Sequence, residues 1–127
     1  MTPDDRRFTR EHEWILSLDN GNIRIGITDY AQDALGDVVF VALPEVGASV
    51  RSGDSVGEVE STKSVSEIYA PVSGTIVARN DAVETAPETI NEDPYEAGWL
   101  FVLEPENPAA VEDLLSSEDY SALIAEI

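Results

Sequence analysis

Hydrophobic and polar positions alternate over Trp14-Ile15-Leu16-Ser17-Leu18 and again over Ile23-Arg24-Ile25-Gly26-Ile27, with Asp19-Asn20-Gly21-Asn22 between them. A period of two fits strands with one face on a core, and Asn-Gly tolerates the positive φ of a tight turn, so the pattern predicts a β-hairpin. Thr28 or Asp29 then offers a helix N-cap. A short helix through Tyr30-Ala31-Gln32-Asp33-Ala34-Leu35 would end at Gly36, which suits a left-handed cap. The β-branched run Val38-Val39-Phe40-Val41-Ala42-Leu43 reads as a buried strand, ended by Pro44 because proline has no N–H for the ladder. Glycines at 47, 53, 57 and 74 punctuate further short strands at Val56–Glu60, Val65–Tyr69 and Thr75–Ala78. Residues 80–98 carry Pro87 and Pro94 and have no period, which predicts a long surface loop, and Gly98–Leu103 returns as a strand. The tail changes period. Asn107 caps, Pro108 fits a first helical turn, and Val111, Leu114 and Leu115 share a face. Ser117 then caps a second helix with Tyr120, Leu123, Ile124 and Ile127 on one side and Glu118 and Asp119 in its first turn. The sum is a mainly β sandwich or barrel with a short internal helix and C-terminal helices over 107–127 that pack on the sheet.

The 127 residues fit one domain, 1–127, since domains commonly hold roughly 100–150 residues. Apolar residues make up 43%, enough to build a core. There is no cysteine and one histidine, which excludes disulfides, thiolate or multi-histidine metal sites and cysteine nucleophiles. Seven basic against 26 acidic residues give a formal charge of −19. Such a surface repels phosphate backbones and anionic bilayers, so neither nucleic acid nor membrane is expected as a partner. No run approaches the ~20 apolar residues of a membrane helix. The acid-containing start Met1-Thr2-Pro3-Asp4-Asp5-Arg6-Arg7 matches neither a secretory signal nor a transit peptide, which predicts a cytoplasmic protein. Six of the seven basic residues are arginine. High net charge with almost no lysine suggests salt adaptation, because abundant salt screens self-repulsion over roughly 3 Å at ~1 M.

The chain offers little catalytic chemistry of its own. No Gly-x-Ser-x-Gly elbow, phosphate-binding glycine loop or EF-hand pattern occurs. His12, in Glu11-His12-Glu13, reads as a surface histidine, and carboxylate pairs carry no weight among 26 acids. Lys63 differs. It lies between two predicted strands in Glu60-Ser61-Thr62-Lys63-Ser64-Val65, so it falls at a hairpin turn with its amine projecting from a rigid support. It is the sole lysine. Arginine could not replace it as an acylated amine, because the guanidinium stays protonated. A lysine amide is the attachment point of swinging carriers such as lipoamide and biotin.

Ordered along the chain stand His12-Glu13-Trp14, Gly26-Ile27-Thr28-Asp29-Tyr30-Ala31-Gln32-Asp33, Leu35-Gly36-Asp37-Val38-Val39-Phe40-Val41 and Leu43-Pro44-Glu45-Val46-Gly47. Glu60-Ser61-Thr62-Lys63-Ser64, Ala70-Pro71-Val72-Ser73-Gly74, Ile90-Asn91-Glu92-Asp93-Pro94-Tyr95 and Gly98-Trp99 follow. With these motifs the chain resembles the glycine cleavage H-protein family of lipoyl carriers over roughly residues 8 to 125. The resemblance implies a barrel-sandwich hybrid of lipoyl-domain type and a non-catalytic carrier, a monomer, with lipoate covalently on Lys63. It implies passage of an aminomethyl group from glycine decarboxylase (the P protein) to an aminomethyltransferase (the T protein), and of electrons to dihydrolipoyl dehydrogenase (the L protein). Lipoate-attaching enzymes are further implied partners, and Glu60 matches an acid they read. Glu13 and Glu67 match acids near the cleft that holds the loaded arm. The sequence departs from the family's habit at Ala34, where histidine is common, at Thr89, and at Ser64-Val65 after the lysine. A relay that supplies lipoyl or octanoyl groups to the lipoyl domains of 2-oxoacid dehydrogenases would share nearly the same surface. A biotin carrier would show Ala-Met-Lys-Met around the lysine, which Thr62-Lys63-Ser64 does not match.

Overall fold

The computed structural model describes residues 3–126. Two antiparallel sheets face each other. The six-stranded sheet runs β1 (Arg7–Phe8), β2 (Glu13–Ser17), β3 (Ile23–Ile27), β9 (Phe101–Pro105), β8 (Gly74–Arg79) and β5 (Ser49–Val50). The three-stranded sheet runs β4 (Val38–Ala42), β6 (Ser55–Ser61) and β7 (Val65–Tyr69). Ile15, Ile25, Val41, Val59, Ile68, Ile76 and Leu103 fill the space between them. The mainly β sandwich with added helices is therefore present. No helix among the described residues is long and apolar enough to cross a membrane.

The β2–β3 hairpin forms where Asn20-Gly21 required it, in the register Ser17↔Ile23, with Gly21 at φ 88°. Both faces of β2 are covered. Ile15 joins the main core, while Trp14 joins Phe8 and Tyr120 in a second cluster on the sheet's other side. Trp14 lies directly over Gly26, its register partner, and a Cβ there would fall 2.5 Å from the indole ring, so only glycine lets the two strands and the ring coexist. The indole N–H donates to Pro94 O at 2.9 Å. Helix α1 (Asp29–Leu35) starts at Thr28, whose hydroxyl accepts the Ala31 N–H, and stops at Gly36, as expected.

Four expectations change. Residues 80–98 are not a plain surface loop: they hold α2 (Asp81–Thr85) and α3 (Thr89–Glu92), and Val83 and Ile90 are wholly buried. Each helix is about one turn, too short to show a period. Asn80 ties the segment's ends by donating to Ala97 O (2.9 Å) and Trp99 O (2.7 Å). Strand β4 is not buried throughout, because a register shift between Val38 and Phe40 turns Val39 and Phe40 outward, 53% and 49% exposed. In the tail, Pro108–Asp113 is a 3₁₀ helix, and α4 (Ser117–Ala125) is capped by Ser116, whose Oγ accepts the Asp119 N–H. Ile127 lies outside the described residues. Finally, His12 is half-buried: its Nδ1 lies 2.8 Å from Tyr120 Oη, and its ring packs 4.7 Å from that of Tyr30. Tyr120 Oη also meets Thr28 Oγ1 at 2.7 Å and its ring stacks on Phe8, so α4 is anchored to the sheet by one tyrosine. Burial moves the His12 imidazole below its usual pKa and the Tyr120 phenol up to about 12.

Candidate functional site

Lys63 stands where the sequence put it, in the three-residue loop Thr62–Ser64 between β6 and β7, with an exposed side chain. Tight hairpin loops commonly place a residue at positive φ, but His12 is the only described non-glycine residue with positive φ, so none of Thr62, Lys63 and Ser64 takes it. The buried Ser61 closes the loop instead. Its Oγ accepts the N–H groups of Ser64 (3.0 Å) and Lys63 (3.3 Å) and donates to Ser64 O (3.2 Å), while its own N–H donates to Ser64 O at 2.8 Å. One hydroxyl thus does locally what a strained backbone would otherwise do.

The tip rests on a ledge made by the end of α1. Thr62 N–H donates to Asp37 O at 3.2 Å. Gly36 has φ 83° and ψ −159°, a region open almost only to glycine, and a Cβ on it would sit 3.3 Å from Lys63 Cε and 3.8 Å from Nζ. The aliphatic stem of Lys63 therefore lies along bare backbone. Asn91, from α3, holds the ledge in place: its Nδ2 donates to Gly36 O (2.9 Å) and Gln32 Oε1 (3.0 Å), and its Oδ1 accepts the Val38 N–H (2.9 Å). Asn91, Gly36 and Ser61 were not singled out as site residues from sequence; Asn91 and Gly36 act across contacts 25 or more positions from Lys63, which no local pattern reports.

The ammonium of Lys63 has no carboxylate within 4.0 Å among the described residues. The site is an exposed tip. A surface cleft of about 640 Å3, lined by Ser52, Pro71, Ser73, Asn107 and Asp113, includes none of the residues predicted to act. An exposed, unpaired primary amine on a rigid turn fits a group held by a lysine amide.

The three candidate acids are placed differently. Glu60 is partly buried on β6, opposite Phe40 on one side and Val65 on the other, beside the tip. Glu67 is exposed two positions beyond Val65 on β7, and its carboxylate accepts the hydroxyls of Ser55 (3.0 Å) and Tyr69 (3.3 Å). Glu13 is 1% exposed. Its Oε2 accepts the Tyr69 N–H at 2.7 Å and its Oε1 meets the Thr9 hydroxyl at 3.2 Å, so it bridges the two sheets. Burial pushes its carboxyl up to about 8, against the two hydrogen bonds that favour the charged form. Glu13 and Glu67 meet at Tyr69, one on its amide and one on its hydroxyl; neither touches Lys63.

Residues 6–127 match the family model described as glycine cleavage H-protein. The chain is 51% identical to the glycine cleavage system H protein of Geobacillus kaustophilus, covering 98% of each chain. It is 53% identical to the protein of the same name from Oceanobacillus iheyensis, over 96% of each. Among solved structures it is similar to a glycine cleavage system H protein from Mycobacterium marinum, with TM-score 0.88, 49% identity and coverage of 97% of this chain and 98% of that one.

Proposed function

The chain belongs to the glycine cleavage H-protein family, and we propose that it serves that system as a lipoyl carrier whose group hangs from Nζ of Lys63. The observation that carries this reading is the sole lysine of the sequence, exposed and unpaired at the tip of the β6–β7 hairpin. When bound, the lipoyl dithiolane supplies the thiol–disulfide chemistry that a cysteine-free chain lacks. The protein's own part is positional. Ser61 fixes the loop, Gly36 leaves room for the lysine stem, and Asn91 holds the ledge beneath it. Glu67, an exposed carboxylate on the same hairpin, is the acid suited to meet a protonated amine. Glu13, spanning from β2 to the Tyr69 amide, sets where the end of β7 lies and so where Glu67 points.

The partners in this reading are the glycine decarboxylase, the aminomethyltransferase, dihydrolipoyl dehydrogenase and the enzymes that attach lipoate. The chain itself is a cosubstrate and not a catalyst. Glycine-dependent exchange of labelled CO₂ with the decarboxylase tests it. The lipoylated chain should support exchange, and Lys63→Arg should abolish it, because a guanidinium cannot be acylated at neutral pH. Exchange that persists in Lys63→Arg would place the working group elsewhere. Efficient passage of the lipoyl group to an apo lipoyl domain, without glycine-dependent exchange, would instead favour the relay role.

A further inference from the structure

The turn that leads into β2 places His12 at φ 67°. Histidine enters this left-handed region more readily than branched side chains, but it stays there only where its surroundings hold it. Its N–H donates to Thr9 O at 3.1 Å, and its carbonyl accepts the Thr28 N–H at 3.0 Å. The ring then lies between Tyr30 of α1 and Tyr120 of α4, with ring centroids 4.7 Å and 5.7 Å away. A chain of hydrogen bonds joins these elements. Thr28 Oγ1 accepts the Ala31 N–H and lies 2.7 Å from Tyr120 Oη, which lies 2.8 Å from His12 Nδ1. Thr28 and Tyr120 are 0% and 1% exposed, so neither hydroxyl proton goes to water. Each hydroxyl has one proton to give. Both protons find acceptors in one arrangement: Thr28 donates to Tyr120, and Tyr120 donates to a bare Nδ1. That ring is neutral, with its proton on Nε2. A proton on Nδ1 reverses the chain. His12 then donates to Tyr120 and Tyr120 to Thr28, and the buried Thr28 proton has no further acceptor among the described residues.

We propose that His12 is a positioning residue of the carrier: with Tyr120 it fixes α1, and so the ledge under the Lys63 stem, and it does this only while its ring is neutral. The significance of the ledge rests on the reading of Lys63 as the attachment site. Helix α1 carries the connection. Thr28 caps its first turn, the Gln32 N–H donates to Thr28 O at 3.1 Å, and the Gly36 N–H donates to Gln32 O at 3.0 Å. Gly36 is the bare backbone beside the Lys63 side chain. The helix has seven residues and is about 10 Å long, short enough to move as one body. What fastens its start to the sheet and to α4 therefore also sets where its end lies. Glu13 follows His12 directly, so the same fastening sets the start of β2.

The groups around the ring decide when it is neutral. Burial disfavours the imidazolium and outweighs Glu11, the acid beside it in the chain. Glu13, on its other side, turns its carboxylate to Thr9 and Tyr69. From α1 comes the phenol of Tyr30, while Asp29 turns its carboxylate to Gln32. From α4 comes the phenol of Tyr120, with Tyr95 beyond it. The fastened ring therefore takes up its proton below the ordinary 6.5. Above pH 6.5 the ring is neutral whether fastened or free. Below it, each pH unit favours unfastening by about tenfold, until the fastened ring is protonated as well.

The test is an NMR titration of the full isotope-labelled chain from about pH 7 to about pH 5, where histidine changes charge. His12 is the sole histidine, so its ring signals report its midpoint directly. The amide shifts of Gly36 and Thr62 should move with that midpoint. Protection of the Ala31 amide against hydrogen exchange, corrected for the intrinsic pH dependence, should fall by up to about tenfold per pH unit below 6.5. His12→Asn is the matched control, because asparagine tolerates positive φ and its Oδ1 stands where Nδ1 stood without titrating. It should keep Ala31 protection within about twofold of the parent at pH 7 and flatten the response of Gly36 and Thr62, with Glu11 and Glu13 still in place. Tyr120→Phe keeps the stack on Phe8 and removes the hydroxyl. It should lower Ala31 protection about tenfold at pH 7, the size of one lost buried hydrogen bond. Gly36 and Thr62 shifts that ignore the His12 midpoint overturn the proposal. So does a His12→Asn chain that responds to pH as the parent does, or a Tyr120→Phe chain that keeps the parent's protection. None of these readouts needs a group on Lys63, so failure here is distinguished from failure of the attachment reading.

Discussion

Glu13 starts a strand of one sheet and ends on the backbone of the other, and this makes its ionisation a property of the fold. Its carboxyl is raised from an ordinary 4.5 to about 8 by burial. The folded chain therefore holds a proton that the unfolded chain releases above about pH 4.5. Stability is unaffected by this group below that pH and falls as pH rises from about 4.5 towards about 8. Glu13→Gln keeps an acceptor for Tyr69 and a donor for Thr9 but cannot ionise. Across that window the parent should lose stability relative to Glu13→Gln by up to about 1.4 kcal/mol per pH unit, measured by urea denaturation of both proteins at a series of pH values. A difference that does not change with pH would mean that Glu13 is ionised in the folded protein. At this scale the sequence exposed Lys63 through its uniqueness and its place between two strands. It could not expose the burial of Glu13, because the strand that covers it lies 56 positions away. Nor could it separate His12 from a surface histidine, since the partner, Tyr120, lies 108 positions on.

The hairpin tip works only as part of three elements: the β6–β7 turn, the end of α1 and α3. Asn91 joins the last two by satisfying Gly36 O, Gln32 Oε1 and the Val38 N–H together. Asn91→Ala leaves these groups without their partner and should cost about 1–3 kcal/mol in chemical denaturation. It should also loosen the ledge, seen as faster amide hydrogen exchange at Thr62, whose N–H donates to Asp37 O. Unchanged stability together with unchanged exchange would show that the ledge does not depend on Asn91. The elements legible in sequence were those with a period or a cap: the β2–β3 hairpin, α1 between Thr28 and Gly36, and the β6–β7 hairpin. Those missed were too short to carry one. Strands β1 and β5 have two residues each, and α2 and α3 have five and four. The run from Val38 read as buried because apolar composition cannot report the register shift that turns Val39 and Phe40 outward.

The whole molecule carries −19 charges on 127 residues, and its ion pairs do little to offset them. The ion pairs among the described residues involve only Arg6, with Asp5 and Glu96, and Arg79, with Asp81 and Glu84. Self-repulsion of this size is relieved by screening, so the melting temperature should rise as KCl is raised from about 0.1 M towards 1 M, over which the screening length shortens from about 10 Å to 3 Å. A melting curve indifferent to KCl would remove salt adaptation from the account. The same charge should draw the carrier to basic partner surfaces and release it quickly, a steering that salt weakens.

The central claim, that this chain works through an acyl group on Lys63, is tested most directly by mass spectrometry of the protein isolated from its own cells grown on glycine. Trypsin cuts after Arg51, after Arg79 and after a free Lys63. The account predicts one peptide, Ser52–Arg79, uncut at Lys63 and heavier by a single lipoyl group. Recovery of Ser52–Lys63 and Ser64–Arg79 instead, both unmodified, would contradict it.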